Sequence, residues 1–331
     1  MDHSYSCSSE EVTSTLHALC RQEETAYRIT AKYLTGLPPR HSKIAKRRAK
    51  CRAAMVTWCI TVVDYLEFDR DTVVTALNFL DRFLETQQGQ ACLTTPRHFK
   101  IAGMTCLYTA IKAHEPEAIE PELVVELSGN LCEAEDIEDM ERTILAALQW
   151  RVNPPTALAF CRILLDSVVP SCLVSREDCV ALLDLAQVQT ELAVSDPRLI
   201  TTPPSTLALA CIFNALESKH SAMETLDDLS QLFLVALDSS DHLEMDDVFD
   251  VQDILDDVIR AHNSSSSSSA AEDEDYDRVV AEATPEVVSE EESGSPVSSC
   301  VTPVKRSEED HKLTPINVSP SALRYKAAEA A

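Results

Sequence analysis

The chain has 331 residues, 45% of them apolar and 25% charged, with a formal net charge of -27. That length and apolar fraction leave room for two domains with real cores and some tail. The acidic balance argues against a nucleic-acid-binding surface spread over the molecule, because phosphate contacts need clustered Lys and Arg, so basic or protein partners are expected instead.

The first predicted helix opens at "SSEEV", where Ser8 and Glu11 have capping-box spacing, and runs through Leu16, Leu19, Cys20 and Tyr27. With the linker "TGLPPR" it occupies residues 1–40, ahead of the main domain. A basic stretch, "KIAKRRAKCR", feeds a helix whose Met55, Trp58, Cys59, Val62, Val63 and Leu66 keep helical period. Within it, "KRRAK" at 46–50 reads either as a nuclear import signal or as a basic helix entry. A helix over about 71–86 follows. Then comes "LTTPRHFKIAGMTCLYTAIKAH", with Thr95 as N-cap and Pro96 at the first helical position. "EPELVVELSG" supplies a short helix opened by proline. "EAEDIEDMERTILAALQW" places Ile137, Met140, Ile144, Leu145 and Leu148 on one buried stripe.

"RVNPPT" at 151–156 is a linker by composition, and further helices are predicted at about 156–169, 175–194, 203–218, 224–238 and 246–262. "TTP" precedes the third helix of each set, at 94–96 and again at 201–203, too far apart for a solenoid unit. The fold class is therefore all-α, with two tandem five-helix domains at 41–153 and 154–262. Past "AHNSSSSSSA" the chain turns to Ser, Glu, Asp and Pro, so 263–331 is expected to be a disordered acidic tail.

Twelve cysteines are scattered without a CxxC pair or an opening signal peptide, which reads as reduced, mostly buried thiols in cytoplasm or nucleus. No apolar run approaches the ~18 to 20 residues that span a bilayer, so a soluble protein is expected. The five glycines, Gly36, Gly89, Gly103, Gly129 and Gly294, cannot assemble a GxGxxG or P-loop phosphate cradle. There is no HExxH, and Pro116 interrupts "AHEPE" before a helical ligand pair can form. "DDLSQ" and "DDVIR" lack the third Asp of a metal-dependent synthase. No catalytic residue, cofactor or metal is expected.

"LNFLDRFLE" at 77–85 puts Asp81 on the face of Leu77, Leu80 and Leu84, a carboxylate aimed at a core. In "CRAAMVTW" at 51–58, Arg52 sits likewise on the stripe of Val56, Cys59 and Val63. Pairing Arg52 with Asp81 removes both burial problems, since guanidinium and carboxylate satisfy each other bidentately.

These two segments, followed by "IAGMTCLYTAIK" and "EDMERTILAALQW", stand in the order and approximate spacing of the cyclin box, and "PPSTLALACIFNAL" at 203–216 looks like the second cyclin fold. Over about residues 45–240 the chain resembles a diverged cell-cycle-type cyclin, with a flavour of diatom or other protist cyclins. The resemblance implies a regulatory subunit without chemistry of its own that binds and activates a cyclin-dependent protein kinase, with the protein substrates of that kinase as further partners. The family's box-marking Arg, Asp, Leu, Lys and Glu fall on Arg52, Asp81, Ile101, Lys112 and Glu141. By that resemblance Lys112 and Glu141, with Ile101, face the kinase near its mobile helix, while Arg52 and Asp81 hold the box together.

Departures from the family pattern are expected to matter. The substrate-docking groove, large and apolar in many cyclins, is here Cys51, Ala54, Met55 and Trp58, with Thr61 and Lys100 where acidic and Gln residues help to bind basic motifs. Attenuated docking follows. Ala113 stands where several cyclins place a kinase-facing Phe. Thr284, Ser295, Thr302, Thr314 and Ser319 each precede Pro and are phosphorylation candidates. A transcriptional cyclin is the nearer rival reading. A cyclin-fold adaptor or transcription factor of the factor IIB type would need a basic groove, and usually a zinc ribbon, that this chain lacks. Neither membrane nor direct nucleic-acid binding is expected.

Overall fold

The computed structural model describes residues 9–36, 41–169, 174–218 and 244–266, with positions 229, 231–233 and 235–237 between them. Ser8, the bulk of the acidic tail and the five Ser/Thr-Pro sites lie outside the described residues. Among the described residues every regular element is helical, and no helix is long and apolar enough to cross a membrane.

The order is α1 (Ser9–Glu24), α2 (Lys32–Thr35), α3 (Ser42–Tyr65), α4 (Asp71–Phe83), α5 (Gln87–Cys92), α6 (Pro96–His114), α7 (Pro121–Leu127), α8 (Ala134–Ala147), α9 (Ala157–Ile163), α10 (Arg176–Ala193), α11 (Pro204–Ser218) and α12 (Met245–Ser266). Starts are set by local chemistry. Thr95 Oγ1 accepts from His98 N at 3.2 Å ahead of Pro96, Thr156 accepts from Ala159 N at 3.2 Å, and Ser175 accepts from Asp178 N at 3.1 Å. Glu133 and Asp136 close a capping box on α8.

The predicted helix over 71–86 ends at Phe83, and the short α5 follows. Gly89 makes that corner possible: a Cβ there would lie 1.9 Å from the carbonyl oxygen of Phe83. Leu164–Val168 forms a π-turn that finishes α9, and α12 continues to Ser266, into the segment expected to be tail. The described positions between 229 and 237 are helical.

Two hydrophobic cores form. The first is built from residues of α2 to α8 around α6, in which twelve of nineteen residues are buried. The second gathers α9 to α12 around α11, where ten of fifteen are buried. Helices apolar on nearly every side can only be central, so α6 and α11 are the corresponding spines of the two halves. Gly103 of α6 lets α3 approach closely, since a Cβ there would fall 2.7 Å from Met55 Sδ.

Although it comes first in the chain, α1 packs into the second core through Val12, Leu16 and Cys20. Its end is pinned by Glu23, which is buried and accepts hydrogen bonds from Ser205 N at 2.9 Å and from the Ser205 hydroxyl. Burial pushes the Glu23 carboxyl from 4.5 up to about 7, against the pull of both Ser205 hydrogen bonds. The folded chain thus holds a proton that the unfolded chain releases between pH 4.5 and 7, so this group's contribution to stability falls as pH rises through that window. In urea unfolding at a series of pH values, Glu23→Gln should gain about 1 to 3 kcal/mol relative to wild type between pH 4.5 and 8. Parallel profiles for the two proteins would show that Glu23 does not titrate in this way.

Candidate functional site

The stripe of α3 that faces α4 carries Arg52, and the stripe of α4 that faces back carries Asp81. Arg52 Nε donates to Asp81 Oδ1 at 3.0 Å and Nη2 donates to Oδ2 at 2.8 Å, with only 6% and 2% of the two side chains exposed. The remaining valences are also filled. Tyr33 of α2 donates its hydroxyl to Asp81, and Arg52 Nη1 donates at 2.9 Å to the carbonyl of Val194, the C-cap of α10 in the second half. Burial alone would lower the Arg52 pKa, but the charge and hydrogen bonds of Asp81 outweigh it and hold the guanidinium above its ordinary value. Burial and the adjacent Asp81 charge raise Tyr33 well above the usual phenol range, which keeps it a donor.

Arg82, beside Asp81 in sequence, is buried as well. Its guanidinium lies 4.7 Å from the Tyr27 ring centroid and donates to the Arg151 carbonyl at 3.1 Å. Burial pulls it down to about 10.

On the outer edge of α6 and α8, Lys112 Nζ lies 3.0 Å from both carboxylate oxygens of Glu141 and 4.8 Å from the Tyr108 ring centroid. The Lys112 side chain is 40% exposed and Glu141 13%. Burial lowers the Lys112 pKa, yet the Glu141 hydrogen bond and charge leave it raised overall. Just past α8, Gln149 and Trp150 both adopt left-handed backbone, with φ of 55° and 58°, a conformation non-glycine residues rarely hold in succession. That turn leaves Trp150 72% exposed, and His114 at the end of α6 holds the Val152 carbonyl at 2.8 Å. A partly shielded ion pair between α6 and α8 and an uncovered indole just past α8 are features of surfaces that dock other proteins.

Ile101 is elsewhere. It is 3% exposed and belongs to the first core, so it supports α6 from within rather than meeting a partner beside Lys112. Met55 is also turned inward, 3% exposed, because its thioether fills the space above Gly103. The outer face of α3 is left to Cys51, Ala54 and Trp58, all half-buried, with Trp58 Nε1 donating to the Leu127 carbonyl at 3.4 Å. Lys100 is half-buried, and the exposed Thr61 spends its hydroxyl on the Thr57 carbonyl at 2.9 Å. Lys46 to Lys50 lie inside α3, where Arg48 Nη1 donates to the Tyr33 carbonyl at 2.8 Å.

Comparison with known proteins matches the cyclin N-terminal domain to residues 15–153. Among curated proteins the chain is 28% identical over 175 residues to cyclin-B2-2 of Arabidopsis thaliana, covering 53% of this chain and 38% of that one. It is 24% identical over 201 residues to cyclin-G1 of Pongo abelii, covering 58% of this chain and 65% of that one. The fold is similar to that of a viral cyclin from herpesvirus saimiri, with a TM-score of 0.50 at 17% identity over 75% of this chain and 97% of that one.

The chain is similar to cyclins through residues 15–153.

The matched segment includes Arg52, Asp81, Lys112 and Glu141. Tyr33, hydrogen-bonded to Asp81, and the exposed Trp150 are residues that residue-by-residue sequence reading passes over. Asp81→Ala should destabilise the chain by about 3 to 5 kcal/mol in thermal or urea unfolding, because it strands a buried guanidinium. Unchanged unfolding would mean that the guanidinium finds water or another acceptor.

Proposed function

We propose that this chain is the regulatory subunit of a cyclin-dependent Ser/Thr protein kinase, that it performs no chemistry itself, and that it serves control of cell division in the nucleus or cytoplasm. The carrying observation is the partly shielded Lys112–Glu141 pair, with the exposed Trp150 just past α8, in a chain similar to cyclins of the A, B and G types. Such an edge can dock the mobile helix of a kinase. Packing that helix favours the kinase state in which its own Lys and Glu pair and its activation loop is open, an equilibrium shifted by differential binding. The Arg52–Asp81 pair contributes by fixing the angle between α3 and α4 beneath α6.

A pull-down from extract of the source cells tests this directly, with wild type and a Lys112→Ala, Glu141→Ala double variant side by side. Wild type should recover a proline-directed kinase and raise its phosphate transfer, and the folded double variant should recover at least tenfold less. Recovery of no kinase by a folded wild type would return the chain to the adaptor reading.

Substrate docking is proposed to be weak. The α3 face offers a small Ala54, a Met55 withdrawn into the core and no acidic group at Thr61, so a basic Arg-x-Leu peptide gains little contact or charge. In a fluorescence titration such a peptide should bind the complex at least tenfold more weakly than it binds a cyclin with a full groove. Ordinary micromolar binding abolished by Trp58→Ala would overturn that expectation.

A further inference from the structure

Residues from both halves of the chain line a partly open cavity of about 300 Å³ that the docking edge does not use. This is at the lower end of the ~300 to 1,000 Å³ of small-ligand pockets and far above the ~15 Å³ needed for one water. Much of its wall is apolar, with Val74 and Leu77 from one half and Leu158, Ile200 and Leu207 from the other. Arg52 and Asp81 also border it but neutralise each other.

The remaining acids give the cavity its character. Glu23 has both carboxylate oxygens engaged by Ser205, and Asp71 accepts from Thr156 Oγ1 at 3.0 Å. Glu24 differs: its Oε1 is buried and has no hydrogen-bond partner among the described residues. A buried acceptor without a donor is costly, and a carboxylate more so. Two helices also end here, α1 at Glu24 and α10 at Ala193, and helix C-termini carry negative potential that favours cations. Arg28, at the rim, is exposed to solvent.

We propose that this cavity between the halves binds an aliphatic cation, an alkylammonium or alkylguanidinium whose head pairs with Glu24 and whose methylene stem lies along the apolar wall. Two sources share that chemistry, a free diamine and the Lys or Arg side chain of a partner peptide. The inference stands on the cavity and does not depend on the kinase reading.

Titration calorimetry on the full chain tests it with two probes, 1,5-diaminopentane and a capped Ala-Ala-Lys-Ala-Ala peptide. At least one should bind in a 1:1 ratio at moderate salt. Glu24→Gln should weaken that binding at least tenfold, and Asp247→Asn, at an exposed acid on α12, should leave it unchanged. Binding of the diamine alone assigns a free small cation, and binding of the peptide alone assigns a partner side chain. Val74→Phe, which fills the cavity from α4, should abolish binding and reads the same question if Glu24→Gln does not fold. Absence of 1:1 binding by wild type overturns the proposal. So does a loss shared equally by the Glu24 and Asp247 variants, which would mean diffuse attraction to a chain of net charge -27.

Discussion

Four separate pieces of the chain meet at one buried carboxylate and one buried guanidinium. Arg52 comes from α3, Asp81 from α4, Tyr33 from α2 and the Val194 carbonyl from the end of α10. Removing two charges from water costs several kcal/mol each, and the cost is offset only when the remaining donors and acceptors are also satisfied. Here they are: three Arg52 nitrogens donate and both Asp81 oxygens accept. The arrangement therefore selects one relative placement of the elements, since sliding any of them leaves a buried charge uncovered. The α3–α4 angle follows from it, α6 packs on both helices, and the edge bearing Lys112 is carried by α6.

Parts of this were legible in the sequence and parts were not. A charge on an otherwise apolar stripe is visible as a violation of pattern, so Arg52 and Asp81 can be matched to each other from the sequence alone. α6 was legible because Thr95 and Pro96 mark its start and its interior is nearly all apolar or small. Tyr33 was hidden in a four-residue helix too short to carry periodicity, inside what reads as linker, and the Val194 carbonyl is backbone, which composition cannot reveal. α5 escaped for a similar reason: its six polar and small residues fold as a helix only because Gly89 fits under the Phe83 carbonyl. Ile101 and Met55 were expected at surfaces because family position says nothing of which side of a thickly buried helix faces out. Trp150 follows the last helical turn, where periodicity stops being informative, and its exposure depends on two left-handed residues.

The thiols complete the picture of a chemically quiet scaffold. Eight of the nine described cysteines are buried and Cys51 is half-buried, and all nine are free. Burial raises the thiols across both cores, with Cys106 and Cys211 held well above the ordinary range. Reactive thiolate is thus scarce among them, and these side chains act as small apolar fillers where helices cross closely.

The Lys112–Glu141 pair is already closed in the free chain, with the tyrosine ring of Tyr108 behind it. Viewed from a distance the centre of that edge is electrically neutral, so it exerts little long-range pull on an approaching molecule. A molecule meeting that edge must compete at contact for donors and acceptors that are already engaged. The exposed indole of Trp150 just past α8 offers, in contrast, apolar area whose burial needs no such exchange, so shape has as much to contribute there as charge.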